Sequence, residues 1–361
     1  MMSNTNILTS LFLLPSLAQV AFSAVTKRAT ACNNSPDLCS KTYNNITHLG
    51  SHNAPFLRDA STGNSASGNQ FYNTTVQLSA GVRLLSGQVH NNNGSLHMCH
   101  SSCTLLDAGL LSDWLSEIKT WMDGNPNEVV TVLLVNSDDA SASDLGSAYT
   151  TAGIASYAYT PTSTTAPSEW PTLQTLINDG TRLLNFVASL DDNTAAPYLM
   201  DEFTYIFENN YDNTSPSNFS CAANRPSTVT TSSALQQNLM PFMNHFLYET
   251  SSLFGTTIES PDLGNITTTN AASGGTGNLG TSAAECTTTY GQAPTFILVD
   301  FFNVGPAIAV VDTLNSVTSP VGRTNVSTAA SAPAASSGST RSEVSTFSLV
   351  AALIVAFVLI A

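Results

Sequence analysis

Two hydrophobic periodicities alternate along this chain, and their alternation predicts strands separated by helices. Residues 129–135 form an almost continuous apolar and β-branched run, which is typical of a strand buried on both faces of a parallel sheet. Residues 105–122 instead carry apolar side chains three and four positions apart, which predicts an amphipathic helix. Similar patterns predict strands at 45–50, 81–89, 95–99, 181–187, 203–207 and 295–300, and helices at 143–155, 172–178, 234–248 and 304–314.

This alternation of buried strands and helices predicts a parallel α/β fold. The number of strands approaches that of a TIM-type β/α barrel, in which side chains at the carboxyl ends of the strands form the active site. Long Ser/Thr-rich segments at 160–170, 209–231 and 259–285 are predicted to be surface loops. We therefore expect one barrel domain over residues 29–322.

The amino-terminal residues predict a secretory leader rather than a part of the fold. Residues 7–24 form a short apolar run that ends in small residues, which is typical of a signal peptide over residues 1–24. Lys27 and Arg28 follow directly. This dibasic pair indicates either a processing site, which would extend the removed segment to residue 28, or an ordinary charged pair in the leader. A signal peptide predicts a secreted protein.

The carboxyl-terminal residues predict a lipid anchor. Residues 347–361 are apolar, a polar spacer precedes them, and small residues lie at 336–338. This order is the signal for a GPI anchor, with residues 341–361 as the removed tail. A tail-anchored helix is the alternative, although about fifteen residues are short for a membrane span. Residues 323–340 are rich in Ser, Thr and Ala and predict a stalk that holds the protein at the plasma membrane or the cell wall.

Sequons and cysteines agree with an oxidising, extracellular destination. The motif Asn-x-Ser/Thr, the acceptor for N-glycosylation, occurs at Asn33, Asn45, Asn73, Asn93, Asn213, Asn218, Asn265 and Asn325. Six cysteines allow about fifteen disulfide pairings. Proximity in sequence favours Cys32 with Cys39 and Cys99 with Cys103, which leaves Cys221 for Cys286. A cysteine metal site is the weaker alternative, because secreted thiols are usually oxidised.

The charge of the chain excludes some classes of partner. Only 10% of the residues are charged, and the formal net charge is −15. Seven basic residues are spread over residues 29–337: Lys41, Arg58, Arg83, Lys119, Arg182, Arg225 and Arg323. So few cations do not form a basic groove, so a nucleic acid partner is excluded. The same scarcity disfavours a substrate with several phosphates and a strong electrostatic grip on anionic membranes.

Two histidines follow predicted strands and are candidates for acid/base chemistry. His52 comes after the apolar residues 46–49 and the pair Gly50-Ser51, and His100 comes after residues 95–99. Imidazole changes its charge near neutral pH without special help, so two imidazoles at neighbouring strand ends can act as a general base and a general acid.

The motifs around these histidines resemble a known family. In order along the chain they are LGSHN at 49–53, GVRLL at 81–85, LHMCH at 96–100, DGNPNE at 123–128 and ILVDFFNVG at 297–305. This order resembles the PLC-like phosphodiesterases, the superfamily of the phosphatidylinositol-specific phospholipase C X-domain. More narrowly, it is similar to the secreted, GPI-anchored fungal branch. The resemblance is dense from residue 47 to residue 136.

The resemblance implies a distorted β/α barrel that cleaves phosphodiesters. The substrate would be a phospholipid or a glycosyl-phosphatidylinositol in the outer membrane leaflet. His52 would be the general base that deprotonates the inositol 2-hydroxyl, and His100 would be the general acid that protonates the leaving glycerol oxygen. Asp300, at the end of the last strand, would orient one imidazole.

The chain departs from the family where the phosphate charge is neutralised. Family members use an arginine or a calcium ion from the second strand, and the matching positions here are Ser86 and Gln88. Asn53 matches a calcium ligand, but its acidic co-ligands are missing, so the calcium site is incomplete and we expect no metal or other cofactor. Four residues remain candidates for substrate contacts, although Arg83 also has a structural interpretation: Asn53, Gln88, His90 and Arg83.

Two alternatives to an active phosphodiesterase follow from these departures. The missing cation is consistent with a barrel that has lost catalysis and serves as a GPI-anchored cell-wall or adhesion protein. A glycoside hydrolase is the other alternative, because barrels carry many activities. It would need two carboxylates about 5–10 Å apart, for which the strand ends offer Asp300, Glu208 and Asp138.

Overall fold

The computed structural model describes Met1, residues 30–253 and residues 256–333. The predicted signal peptide, the dibasic pair and the predicted anchor signal lie outside the described residues. Within the described part of the chain, no helix is both long and apolar enough to cross a membrane.

Twelve strands and nine α-helices make up the described chain. The strands are β1 His48–Ser51, β2 Leu84–Asn92, β3 Ser95–Cys99, β4 Asp107–Leu110, β5 Val130–Asn136, β6 Leu183–Ala188, β7 Leu199–Asp201, β8 Ile206–Glu208, β9 Met240–Asn244, β10 Tyr248–Leu253, β11 Thr256–Pro261 and β12 Phe296–Val299. The helices are α1 Thr74–Ala80, α2 Leu111–Gly124, α3 Ala142–Thr151, α4 Leu173–Asn178, α5 Glu202–Tyr205, α6 Thr231–Gln236, α7 Ile266–Thr269, α8 Leu279–Tyr290 and α9 Ala307–Asn315. Short 3-10 turns lie at Pro36–Leu38, Tyr43–Asn45, Ala60–Thr62, Ala155–Tyr157 and Pro216–Asn218.

Eight parallel strands form a distorted barrel. They neighbour one another in the order β7-β6-β5-β2-β1-β12-β9-β8, so the first and the last strand of the barrel, β1 and β12, pair directly. No ladder joins β7 to β8 among the described residues, and the barrel is open there. β3 and β4 extend β2 as antiparallel strands beyond the barrel. The predicted single-domain, distorted α/β barrel is thereby confirmed.

Aromatic side chains close the amino-terminal end of the barrel. The ring of Tyr43 lies 4.6 Å from that of His48 and 6.0 Å from that of Phe296, and its hydroxyl hydrogen-bonds the Thr131 hydroxyl at 2.6 Å. His48 Nε2 donates to the Tyr43 carbonyl at 3.0 Å, and burial lowers the pKa of His48 to about 4. Because this end is packed, a substrate can reach the interior only from the carboxyl ends of the strands.

Three predicted elements are wrong in part. The predicted helix 105–122 begins as the strand β4, which pairs with β3, and α2 starts only at Leu111. Local chemistry explains the other two. The predicted helix 234–248 is divided: α6 ends at Gln236, and residues 240–244 form the buried strand β9. Pro241 disfavours a continuous helix, and short apolar runs suit either structure. The predicted strand 203–207 begins as the helix α5, because the Asp201 side chain accepts from the Thr204 amide and caps a helical turn.

The long predicted loops also contain unpredicted structure. The segment 259–285 includes the end of β11, all of α7 and the first half of α8. β10 and β11 pair as an antiparallel hairpin separate from the barrel. Their Ser/Thr-rich sequences lack the apolar periodicity on which the strand and helix predictions depend.

The three expected disulfides are confirmed. Their Cα–Cα distances are 5.0 Å for Cys32–Cys39, 4.7 Å for Cys99–Cys103 and 5.1 Å for Cys221–Cys286. The second disulfide links Cys99, the residue before His100, to Cys103, three residues after it. The third ties α8 to the loop that follows β8.

Residues 321–332 form a C-terminal strap along the barrel wall. At its start, the Val321 amide donates to the Asn34 carbonyl at 2.8 Å, and Arg323 forms a two-point ion pair with Asp312 of α9. At its end, Asn303 Nδ2 donates to the carbonyls of Ser327 and Ala329 at 2.8 and 3.1 Å. The first part of the segment predicted as a stalk therefore lies on the barrel.

Burial divides the eight sequons into two groups. The Asn213 side chain is buried, and its Nδ2 donates to the Asn210 carbonyl at 2.8 Å. Asn33 is 5% exposed and accepts from the Val129 amide at 2.7 Å. The other six asparagines are exposed: Asn45, Asn73, Asn93, Asn218, Asn265 and Asn325.

We expect the folded, secreted protein to carry no glycan on Asn33 or Asn213, because a glycan on either Nδ2 would have to occupy packed protein. Mass spectrometry of glycopeptides from a secreting eukaryotic host measures this directly. Asn218 is the control, since it lies only five residues from Asn213 and is exposed. An occupied Asn213 in folded protein would contradict the packing described here.

Candidate active site

His52 and Asp300 meet where the barrel closes between β1 and β12. His52 follows β1, Asp300 follows β12, and His52 Nδ1 lies 2.9 Å from Asp300 Oδ1. A carboxylate can only accept, so Nδ1 carries the proton and Nε2 presents its lone pair. The Phe246 ring stacks on the imidazole with a centroid distance of 3.8 Å and an interplanar angle of 7°. The pair is thus fixed in one orientation and one tautomer.

Asn69 and Gln70 hold this pair and were not predicted from the sequence. Asn69 Nδ2 donates to Asp300 Oδ1 at 2.9 Å. Gln70 Nε2 donates to the carbonyls of His52 and Val299 at 2.8 and 3.2 Å, and so joins the ends of β1 and β12. Both side chains are fully buried although they lie in a polar loop. The only sequence signal is an Asn-Gln pair directly before two aromatic residues.

The loop that carries Asp300 has an unusual backbone that its neighbours stabilise. Phe301 has a φ of 43°, in the left-handed region, which bulky residues rarely adopt. Asn270 Nδ2 donates to the carbonyls of Asp300 and Val304 at 3.0 and 3.1 Å, and the Phe301 amide donates to the Asn69 carbonyl at 2.8 Å. Such strain persists when surrounding contacts over-determine it, and here those contacts set the position of Asp300.

His100 lies at the same end of the barrel on the loop that follows β3. Its amide donates to the Leu106 carbonyl at 2.9 Å, and Phe56 packs edge-on at 5.3 Å between ring centroids. His100 Nδ1 lies 3.2 Å from the Ser101 hydroxyl. Nε2 is buried and has no hydrogen-bond partner among the described residues. This nitrogen is therefore free to exchange a proton with a ligand.

The electrostatics connect the two histidines. Burial, and then the positive charge of His52, lower the pKa of His100 to about 4. The structure joins His52 to Asp300 and packs His100 against Phe56, four residues after His52. The pairing of the two histidines in one acid/base site stays a prediction.

Asn53 and Ser86 lie beside the histidines. The Asn53 amide donates to Ser86 Oγ at 3.1 Å, and Asn53 has a φ of 50°. Asn53 Nδ2 is buried without a partner among the described residues. Asn53 therefore offers a neutral hydrogen-bond donor at the position where the family has a calcium ligand.

Three further candidates for substrate contacts, Gln88, His90 and Arg83, hydrogen-bond to groups of the protein itself. Gln88 Oε1 accepts from the Ser101 amide at 2.6 Å and so holds the loop that carries His100. His90 Nδ1 lies 3.1 Å from Asp138 Oδ1. Arg83 donates to Glu128 Oε2 at 2.9 and 2.6 Å.

Arg83 directly precedes β2, and its side chain lies against the helices outside the sheet, away from the histidines. Its guanidinium also donates to the Leu78 carbonyl of α1 at 2.7 Å and lies 5.2 Å from the Trp121 ring of α2. The structure does not bring Arg83 to the site, because its register turns it towards the helices. Glu128 neutralises the charge of Arg83. This buried ion pair lies at the amino-terminal end of the barrel wall.

The described residues contain one cluster with metal-ligand geometry, and it is not a metal centre. Ligand atoms of His97, Cys99 and Asp107 lie within 4.8 Å of one another. The Cys99 sulfur is bonded to Cys103, so it is not available as a thiolate ligand. Asn53 has no carboxylate partner in the hydrogen bonds described above, and the expectation of a site without metal stays a prediction.

The carboxylates that a glycosidase would need are paired elsewhere. Glu208 is buried and forms an ion pair with Arg225, while Asp138 is bound by His90 and the Asn91 amide. Burial and the nearby Glu208 raise the pKa of Glu202 well above its usual range. Asp300 therefore has no free carboxylate partner among Glu208 and Asp138, and this weakens the glycosidase alternative.

Eight parallel strands, with His52 after β1 and Asp300 after β12 at their carboxyl ends, define a β/α barrel with a candidate acid/base site. The family model described as PI-PLC X 1 matches residues 38–315, which include every site residue described above. The chain belongs to the PI-PLC X family.

Two fungal relatives cover most of this chain. A PI-PLC X domain-containing protein 1 of Arthroderma benhamiae is 36% identical over 304 residues, which are 83% of this chain and 95% of the relative. An uncharacterised secreted protein of the same fungus is 36% identical over 292 residues, which are 80% of this chain and 64% of the relative. The phosphatidylinositol-specific phospholipase C of Listeria monocytogenes has a similar structure, with a TM-score of 0.46, 12% identity, and coverage of 79% of this chain and 97% of that chain.

Substitution of Asn69 tests how Asp300 is oriented. We expect Asn69→Ala to shift the imidazole nitrogen signals of His52 in 15N NMR, because Asp300 Oδ1 loses its second donor and its fixed rotation. We expect a loss of about 1–3 kcal/mol in the free energy of unfolding for this buried hydrogen bond to a charged group. Asn193→Ala, which removes a half-buried side-chain hydrogen bond to the Leu199 carbonyl, is the control. Unchanged His52 signals in Asn69→Ala would refute the orienting role.

Titration of His100 tests whether the imidazoles form a pair. We expect the NMR midpoint of His100 near pH 4 and a higher midpoint in His52→Gln, because a neutral side chain of similar size removes the repulsion and keeps the burial. An identical midpoint in both proteins would show that the two rings do not interact.

Proposed function

We propose that this protein cleaves a phosphodiester of a phosphatidylinositol-type phospholipid or of a glycosyl-phosphatidylinositol, without a metal ion. The observation that carries the proposal is the hydrogen bond from His52 Nδ1 to Asp300 Oδ1 at 2.9 Å, beside a loop on which His100 Nε2 has no partner among the described residues. Membership in the PI-PLC X family and the name of the fungal relative support the substrate class.

The geometry assigns a separate task to each histidine. His52 Nε2 accepts the proton of the inositol 2-hydroxyl, whose oxygen then attacks phosphorus and forms a cyclic phosphodiester. The phosphorus–oxygen bond to glycerol breaks, and His100 Nε2 donates its proton to the leaving oxygen. Asp300 stabilises the imidazolium that forms on His52. Both transfers use nitrogens that have no protein partner among the described hydrogen bonds.

The low pKa of His100 bears on its role as the acid. Near neutral pH, burial and His52 keep this imidazole largely neutral. A phosphodiester carries a negative charge, and a negative charge beside an imidazole favours the protonated form. Binding of the substrate therefore favours uptake of a proton from solvent by His100, which can then donate it to the leaving oxygen.

Neutral donors replace the missing cation in this proposal. Asn53 Nδ2 can donate to a non-bridging phosphate oxygen, and the site is buried, so each hydrogen bond acts in a medium of low dielectric constant. A neutral donor stabilises a developing negative charge less than an arginine or calcium ion does. This deficit is the specific observation that favours the second candidate, an inactive barrel at the cell surface.

Phosphorus NMR with phosphatidylinositol, in calcium and in chelator, decides between the two candidates. We expect a cyclic phosphate in both conditions and a loss of about 10²–10⁴-fold in rate for His52→Ala and for His100→Ala, the range for removal of a general acid or base.

His97→Ala is the matched control for this assay. His97 lies on β3, the strand before His100, and its Nδ1 lies 3.0 Å from Asp107. We expect the loss of this imidazole to leave the rate unchanged. If no phosphodiester is turned over in either condition, the enzymatic proposal is refuted and the inactive barrel is favoured. Turnover in calcium alone would overturn the metal-free mechanism.

A further inference from the structure

The C-terminal strap begins at the amino-terminal end of the barrel. Its Val321 and Arg323 contact Asn34. Asn34 in turn accepts from Arg83, whose partner Glu128 directly precedes β5. These residues mark the end of the barrel that lies opposite to His52 and His100.

The strap ends at the loop that carries Asp300. The Thr324 amide donates to the Ser79 carbonyl near the end of α1, and the chain then reaches Asn303, three residues after Asp300. Asn303 is 2% exposed and its amide group binds two strap carbonyls, those of Ser327 and Ala329. The strap thus runs along the barrel wall from its closed end to its catalytic end.

Apolar packing fastens the last part of the strap to the same loop. Phe301 and Val304, on either side of Asn303, form a small buried cluster with Phe71 and Ile266, and Ala332 packs against this cluster. The Phe71 and Phe301 rings lie 4.4 Å apart. Phe71 directly follows the Asn69-Gln70 pair, so the cluster lies behind both the carboxylate and its donors.

The loop 300–304 is therefore held from two sides. On the inner side, the amides of Phe301 and Phe302 donate to Asn69 and Gln70 at 2.8 and 3.1 Å. On the outer side, Asn303 and the apolar cluster bind the strap. Because Phe301 adopts a left-handed conformation, a loss of the outer contacts lets this loop relax, and the Asp300 carboxylate moves with it.

We propose that Asn303 is a positioning residue and that the strap is part of the catalytic unit, holding Asp300 at hydrogen-bond distance from His52. The proposal rests on the proposed function for its effect on rate, but its geometric content is independent of turnover. The residues that resemble a stalk in composition thus form the outer support of the acid/base site.

Two substitutions in the full chain release the strap by different means. Asn303→Ala removes both hydrogen bonds to the strap, and Ala332→Asp places a charge against the apolar cluster. The matched control is Ala330→Asp, which introduces the same charge two residues away at an exposed position. Near-UV circular dichroism and thermal unfolding report whether each variant is folded.

The decisive readout is the state of His52. We expect both release variants to shift the His52 nitrogen signals in 15N NMR and to lower kcat/KM about tenfold or more, since displacements near 1 Å cost up to about 10²-fold. We expect Ala330→Asp to change neither quantity.

Three outcomes are informative. Unchanged His52 signals in folded Asn303→Ala and Ala332→Asp would overturn the proposal, whatever the rates. Shifted signals in a protein without turnover would support the positioning role and reject the proposed function. Equal effects of Ala330→Asp and Ala332→Asp would show a general charge effect and overturn the role of the cluster.

Discussion

The hydrogen bond between His52 and Asp300 joins residues 248 positions apart, and it exists only because the barrel closes between its first and last strands. A buried carboxylate is costly unless it is paired and hydrogen-bonded. The polar side chains around it follow from this requirement: Asn69 supplies a second donor, and Asn270 satisfies the carbonyls of the loop. The contacts that close the barrel between β1 and β12 therefore also form the candidate acid/base site.

The sequence predicted the elements whose signals are local. Continuous apolar runs located the central strands, and the positions after those strands located His52, His100 and Asp300. Asn69 and Gln70 escaped prediction because they act from a loop without periodicity, and only the folded chain shows that they are buried. Gln88 was predicted as a candidate for substrate contacts, and only the folded chain shows that its oxygen accepts from the Ser101 amide.

Asp300, His52 and His100 are the titratable groups that form the candidate site. Burial keeps His100 neutral and makes its proton affinity sensitive to any anion that enters. Arg83, the cation that the sequence offered for substrate contacts, is neutralised by Glu128 away from the histidines. In the proposed mechanism, a bound phosphodiester would favour protonation of His100 and so prepare the proton donor for the next step.

The folded part of the chain extends beyond the residue at which its amino-acid composition changes. Composition changes near residue 323, but contacts with the barrel continue to Ala332, which packs on the cluster behind Asp300. Proteolysis within the Ser/Thr/Ala-rich stretch would have one of two results, depending on the position of the cut. A cut beyond Ala332 would release an intact catalytic unit, whereas a cut before Asn325 would release a barrel without its outer support. Shedding could thus release or disable the protein according to the bond that is cut.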